Sequence, residues 1–441
     1  MMKNKSNIIF AVLLILLISA SSFYNCFNAS VNRIFVDYIP SSFPVNFALY
    51  TSGNMQFVAY YDTSHQMIIA KRNLDSKIWD KQSLDSKVGW DSHNYLSIVI
   101  DNDGTIHLVG NMHSSPLIYF RSEKPYDIHS MKAIQSMTGK EEDITTYPEF
   151  MNGPAGELIF HYRYGISGSG YEVYNIWNYK TRQWERLLDK PLTDGQKLMN
   201  AYMQGPTLGP DGYYHLIWVW RDTPDCSTNH DLSYARSKDL VNWESVRGEK
   251  VDLPITIHYE QLIVDPTPIY KGLINIGIKI GFDADNKLLI GYHKYDSAGN
   301  TQLFLARYTN NKWINNQITN WDYRWDFKGY GTIKNELLIE SPYATEQGEI
   351  IFGYHHIKYG NRQVVINNET LNYMRAEALT TIYPSEIDSV RSEIKGMVVN
   401  KVMDKGKTDK DFMLRWETLA PNRDKVQHIN LKNSVLELIA Y

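Results

Sequence analysis

The chain has 441 residues, a formal net charge of −4, and 31 Tyr, 11 Trp and 15 Phe. That charge balance excludes a global positive field of the kind that draws nucleic acid, so a polyanion would have to be met by a local basic site. Two cysteines in the whole sequence exclude an internal disulfide framework.

The first feature in chain order is Lys3 and Lys5, then an apolar run from Ile8 to Ile18, then Ser19, Ala20, Ser21 and Ser22. A basic start, a short apolar centre and a small-residue exit predict a signal peptide over residues 1–22 and an exported, secreted or periplasmic protein. The run is too short for a stable bilayer anchor, which needs about 20 residues. Phe23-Tyr24-Asn25 before Cys26 is a poor context for lipid attachment. No later stretch is long and apolar enough to span a membrane, so no membrane partner is expected once the leader is removed.

Residues 30–441 read as one domain of short strands separated by turns. Ile106–Gly110 follows Asn102-Asp103-Gly104, Leu158–Tyr162 follows Pro154-Ala155-Gly156, and His215–Trp220 follows Pro210-Asp211-Gly212. Leu288–Tyr292 and Ile350–Tyr354 repeat the pattern after Asp285-Asn286-Lys287 and Gln347-Gly348-Glu349. Gly and Asn tolerate the positive φ of tight hairpins, and the β-branched and aromatic residues between them fit a pleated surface. A Trp closes several units, at Trp79, Trp184, Trp243 and Trp313, and Ser237 to Trp243 is similar to the Asp-box hairpin of sialidase-type propellers. Units of roughly 50–60 residues with four strands each are blade-sized. The expectation is an all-β, seven-bladed β-propeller, with Lys401–Lys410 as a charged loop in the last blade.

In a propeller the loops at one end of the channel converge, so site residues can lie far apart in sequence. His93 precedes an inner strand in Trp90-Asp91-Ser92-His93-Asn94-Tyr95, and His113 follows a strand in Asn111-Met112-His113-Ser114. Tyr147 opens a unit in Thr145-Thr146-Tyr147-Pro148. Arg163 precedes the Gly-rich segment with Gly165, Ser167, Gly168 and Gly170, and Tyr202 opens the next unit in Asn200-Ala201-Tyr202. Singly, each is a packed aromatic, a solvated histidine or a surface charge; as a set they mark one rim. Farther on, Cys226 and His230 lie four residues apart, with His215 on the preceding strand and His293 in the next unit. These four could bind a zinc ion; a buried thiol among unrelated histidines is the alternative.

The string from His93-Asn94 through Asp103-Gly104-Thr105-Ile106-His107 to Asn111-Met112-His113 and Pro116-Leu117-Ile118-Tyr119 resembles the BNR-4 type propeller family. So do Tyr162-Arg163 with its glycines, Trp220-Arg221, Asn229-His230-Asp231-Leu232-Ser233-Tyr234 and Arg324-Trp325-Asp326-Phe327. The family includes seven-bladed ulvan lyases, and the resemblance weakens after about residue 375. It implies a polysaccharide lyase acting on an acidic, uronate-containing glycan of the sulfated, ulvan-like kind. It also implies a site made of His93, His113, Tyr147, Arg163 and Tyr202; we expect His93, Tyr147 and Arg163 to be catalytic and His113, Tyr202, Arg221 and Arg324 to bind substrate. Some family lyases carry a structural zinc, which would fall to His215, Cys226, His230 and His293.

Those residue types suit the chemistry. A lyase takes the C5 proton of a uronate and expels the oxygen at C4, which requires the adjacent carboxylate to be neutralised. Arg matches a carboxylate with its rigid fork and stays charged. His titrates near neutrality and Tyr ordinarily near 10, so His93 and Tyr147 can serve as base and acid in either order. No cofactor is needed. A propeller glycoside hydrolase, which wants two carboxylates flanking the bond, and a non-catalytic glycan-binding propeller are the alternatives.

Overall fold

The computed structural model describes residues 31–406, 408–427 and 431–441. The leader expected at 1–22 lies outside them. Among the described residues the chain is nearly all β, with helix limited to five short 3-10 turns. None of these is long and apolar enough to cross a membrane.

Local turn chemistry makes the hairpins. Between Leu96–Ile100 and Ile106–Gly110, Gly104 takes φ +78°, and Asp101 Oδ1 accepts the Asp103 and Thr105 amides at 3.0 and 2.7 Å. Asp283 repeats the device, accepting the Asp285 and Lys287 amides at 2.9 Å beside Asn286 at φ +61°. A short polar side chain thus replaces the backbone partner that the turn removes.

Antiparallel meanders follow one another along the chain. They run over residues 48–87, 96–134, 145–186 and 200–251, with His113–Ser115 added to the edge of the third. A nine-stranded sheet follows, made of two meanders joined through a single parallel pairing of Phe282 with Tyr343. Several apolar clusters draw on neighbouring sheets. Val109 and Tyr119 pack with Phe160 and Trp184, Tyr174 with Trp218 and Trp220, and Val219 and Tyr234 with Tyr292 and Phe304. Sandwiching explains why Ile106–Gly110 and Tyr214–Arg221 are buried along their whole length. The last sheet, residues 397–440, shares its core with the first, through Leu414, Trp416 and Leu438 against Phe57 and Tyr60. The result is a propeller-like stack that returns on itself.

Trp79 immediately precedes, and Trp184, Trp243 and Trp313 lie in, the fourth strands of their meanders. In the hairpin before Trp243, Asp239 Oδ1 accepts the Val241 and Asn242 amides at 2.9 and 2.7 Å, and the Trp243 indole donates to Leu240 O at 3.2 Å. The loop expected at Lys401–Lys410 begins later than its charge suggests. Lys401–Met403 complete the strand Met397–Met403, because the Lys401 ammonium is neutralised by Asp388.

The strand Asn32–Ile39 pairs with Ser434–Ala440, so the two ends of the described chain share one sheet. Arg33 donates to Glu437 at 2.8 Å across 404 residues, and the buried Arg415 bonds Glu437 at 3.3 Å and Glu417 at 2.7 Å. Removing Glu437 strips the buried Arg415 of one of its two acid partners, and breaking a buried ion pair is strongly destabilising. Glu437→Ala is therefore expected to lower the unfolding free energy by about 3 kcal/mol, measured by denaturant titration.

Candidate active site

The site starts from a carboxylate that holds two histidines. Asp91 Oδ1 accepts the His93 amide at 2.9 Å and His93 Nδ1 at 2.7 Å, while Asp91 Oδ2 binds His113 Nδ1. The two imidazoles stack with centroids 4.3 Å apart. Burial alone would raise the Asp91 carboxyl; the hydrogen bonds from His113 and His93 outweigh it and hold the group well below the usual carboxylate range. An ionised carboxylate only accepts, so both histidines carry their proton on Nδ1 and present Nε2 as a free acceptor when neutral. Asp424 buttresses His93 at 3.6 Å and anchors its turn, accepting from Ser92 Oγ at 2.7 Å and from the Thr332 amide at 2.8 Å.

Backbone strain aims the next residues. Asn111, Ser114 and Tyr147 all take positive φ, at 60°, 52° and 56°, conformations that cost of order 1–3 kcal/mol for a side-chain-bearing residue. Tyr147 sits in a bulge where pairing with Leu158–Ile166 breaks between Thr146 and Glu149. The bulge turns its ring to within 6.2 Å of both His93 and Tyr202. His113 pairs with Thr146 through the short strand His113–Ser115, which fixes the histidine beside the bulge.

Arg163 is fully buried behind these rings. Its guanidinium lies 5.0 Å from the Tyr147 ring centre and 5.8 Å from that of Tyr202. It donates to Thr146 Oγ1 at 3.0 Å, and to Ser114 Oγ and the Tyr202 hydroxyl at 3.4 Å, while its Nε has no partner. Gly165 and Gly168, at φ +105° and +78°, fold the following turn so that Ser167 Oγ reaches the Tyr202 hydroxyl at 2.5 Å. An added Cβ at Gly165 would meet Ser169 O at 2.5 Å. Arg221 joins from the next sheet, 3.7 Å over the Tyr202 ring and held by Asn229 and Asn275.

The two tyrosines are driven apart. Burial pushes the Tyr147 phenol up to about 12. Burial acts on Tyr202 too, but the charges of Arg221 and Arg163 outweigh it and lower that phenol below its ordinary value. Ultraviolet difference titration is therefore expected to show one tyrosine ionising below the usual range near 10, and Tyr202→Phe should abolish that step. Persistence of the early step in the variant would assign it elsewhere.

His93, His113, Tyr147, Arg163, Tyr202 and Arg221 thus share one site. Arg324 does not belong to it: it lies 4.0 Å over Tyr295 in a separate depression with Asp225 and Tyr270. The four residues expected to hold zinc are not gathered into one ligand set. His215 is spent on Tyr234 and Asp211, and His230 on Asp222 and Asp231. Cys226, a free buried thiol, shares an apolar cluster with Trp325, whose ring centre lies 5.6 Å from that of His293. Among the described residues the one cluster with metal-ligand spacing is Asp91, His93 and His113. Sequence reasoning did not give a role to Asp91 or Asp424; the single hint was Asp91 two residues before His93.

Imidazoles, phenols and two arginines thus come together on a propeller-like stack of sheets. The sequence profile of BNR repeat-containing family members matches residues 55–321, and the chain belongs to that family. No curated protein sequence matches it. Among solved structures it is similar to the polysaccharide lyase Uly1, at 14% identity and a TM-score of 0.60, covering 94% of each chain. It is also similar to a PL25 ulvan lyase at 14% identity and a TM-score of 0.58, over 93% of this chain and 95% of that one. A structure of a PL25 ulvan lyase bound to -[GlcA(1-4)Rha3S]- matches at 13% identity and 0.58, over 92% and 95%. At these identities the likeness is one of fold.

Proposed function

We propose that this protein is an exported polysaccharide lyase that cleaves a glucuronate-containing, ulvan-like glycan by β-elimination on a seven-bladed propeller. Seven blades follow if the nine-stranded sheet is divided at its single parallel pairing, giving a four-stranded and a five-stranded unit beside the other five sheets. The observation that carries the function is Arg163, a buried guanidinium bonded only to hydroxyl groups and flanked by two phenols and a histidine pair. A buried cation without an acid partner is costly, and a substrate carboxylate would relieve that cost while being neutralised for proton loss.

In this scheme Arg163 takes the uronate carboxylate. His93, its Nδ1 tied to Asp91, offers Nε2 to the C5 proton. Tyr147, which keeps its proton at neutral pH, donates to the departing O4. His113, Tyr202 and Arg221 hold the sugar. Each turnover leaves one proton on His93 and removes one from Tyr147, so a transfer between them, with ring centres 6.2 Å apart, restores the starting state. The export leader fits a substrate too large to enter a cell.

A glycoside hydrolase is the second reading, because Glu149 and Glu172 line one cavity with Tyr147 and Tyr202. Incubation with ulvan and other acidic polysaccharides separates the two. Ultraviolet-absorbing unsaturated uronate together with new reducing ends means a lyase. Reducing ends alone mean a hydrolase, and binding with neither means a glycan-binding protein.

A further inference from the structure

Arg163 lacks an acid partner, yet an acid stands beside it. Glu172, on the strand Ser169–Asn178, is directly opposite Arg163 in the antiparallel register, so both side chains leave the same face of the sheet. It is 6% exposed, and its carboxyl has no hydrogen-bond donor among the described residues. It borders a cavity of about 250 Å³ that Tyr147 and Tyr202 also line. Around it the structure leaves several buried polar atoms without partners: Arg163 Nε, His161 Nδ1, the Tyr174 hydroxyl and the Asn200 amide. Such a run of unsatisfied groups marks a place built for something other than static packing.

We propose that Glu172 is the conditional counter-charge of Arg163, a positioning residue that leaves the guanidinium to the substrate carboxylate while protonated and claims it once ionised. Opposed residues on paired strands have Cβ atoms about 4.5–5.5 Å apart, so a rotamer change is enough to form the pair. The other groups facing Glu172 do not supply a competing cation. His161 on the neighbouring strand is held neutral, burial pushing its pKa down. Glu149 is paired with Lys405 at 3.3 Å. Tyr95, Tyr147 and Tyr174 stay protonated through burial, and Arg221 faces the Tyr202 ring. Burial raises the Glu172 carboxyl to about 8, with the charge of Arg163 opposing it. Near neutrality Glu172 is therefore a neutral acid and Arg163 is free; above about pH 8 the two pair and the site closes to anions.

The inference rests on Arg163 being the substrate-carboxylate partner, and its test includes measurements that do not need turnover. The probe is a glucuronate-containing sulfated oligosaccharide, titrated by calorimetry from about pH 6 to pH 9 against the wild type and Glu172→Gln. Wild-type affinity is expected to fall about tenfold per pH unit above 8, through KM more than kcat where turnover is followed. The Gln variant should match the wild type at neutral pH and lose none of its affinity on the alkaline side. The stability sign is also set. A folded pKa above the unfolded one gives stability that is fully present below the unfolded value and lost as pH rises through the folded value. The Tm of Glu172→Gln should therefore gain on the wild type between about pH 5 and pH 9. An identical alkaline fall in both proteins, a constant Tm difference, or loss of neutral-pH binding in the Gln variant overturns the proposal. If the wild type makes no unsaturated product but its binding weakens with pH and the variant's does not, the lyase reading falls and the counter-charge stands. Absence of binding by the wild type overturns both.

Discussion

Replacing Arg163 by alanine is expected to lower kcat/KM for unsaturated uronate formation by about a thousandfold or more, the scale seen when a preorganised donor to a developing anion is removed. The residue lies behind the rings of Tyr147 and Tyr202, so its loss also leaves a hole under both. Arg163→Lys separates the two effects. It restores charge and most of the volume but not the fork, and should recover stability more fully than rate. Thermal unfolding and initial rates on the same preparations provide the comparison, and an Arg163→Ala protein with near wild-type rate would remove Arg163 from the chemistry.

Asp91→Ala is expected to be the next most damaging change, about a hundredfold in kcat/KM, because orienting groups behind catalytic or ligating histidines typically contribute 10–100-fold each and this one holds two. Without the carboxylate, neither His93 nor His113 has its Nδ1 proton fixed, and Nε2 no longer points by default at the substrate. The loss should fall on kcat through His93 and on KM through His113, while Arg163 and Arg221 remain in place. Nuclear magnetic resonance of the imidazoles should show both tautomer populations changing together. A change at one histidine alone would mean that the shared carboxylate does not act as a single orienting group.

Much of the scaffold was legible in the sequence because it is made by local rules. Asn-Asp-Gly and Asp-Asn-Lys turns mark the hairpins, and the tryptophans recur at fourth strands, where each meander is covered by its neighbour. The rim histidines and tyrosines could be picked out because each stands near the start of a strand, and Arg163 because it precedes a Gly-rich turn, although its strand runs on from Tyr162 to Ile166. What could not be read was set by distance or by environment. Asp424 reaches Ser92 across 332 residues, which no local pattern encodes. The proton on Glu172 depends on burial between two sheets, and a glutamate in a strand of alternating residues gives no sign of it. The partners of His230 were hidden for the same reason: spacing of four residues placed Cys226 near His230 in sequence, while the fold hydrogen-bonds His230 to Asp222 and Asp231.

The pairing of Asn32–Ile39 with Ser434–Ala440 carries a consequence for how the protein comes into being. Among the described residues, the first strand finds its hydrogen-bond partner only when the last has been made, about 400 residues later, and such non-local pairings form slowly. Until then Asn32–Ile39 has an unpaired edge open to other chains. That sheet therefore cannot close until nearly all of the described residues have been made. Joining the present ends through a short linker and cutting between two other meanders would move that event to a different point in synthesis without changing the final stack.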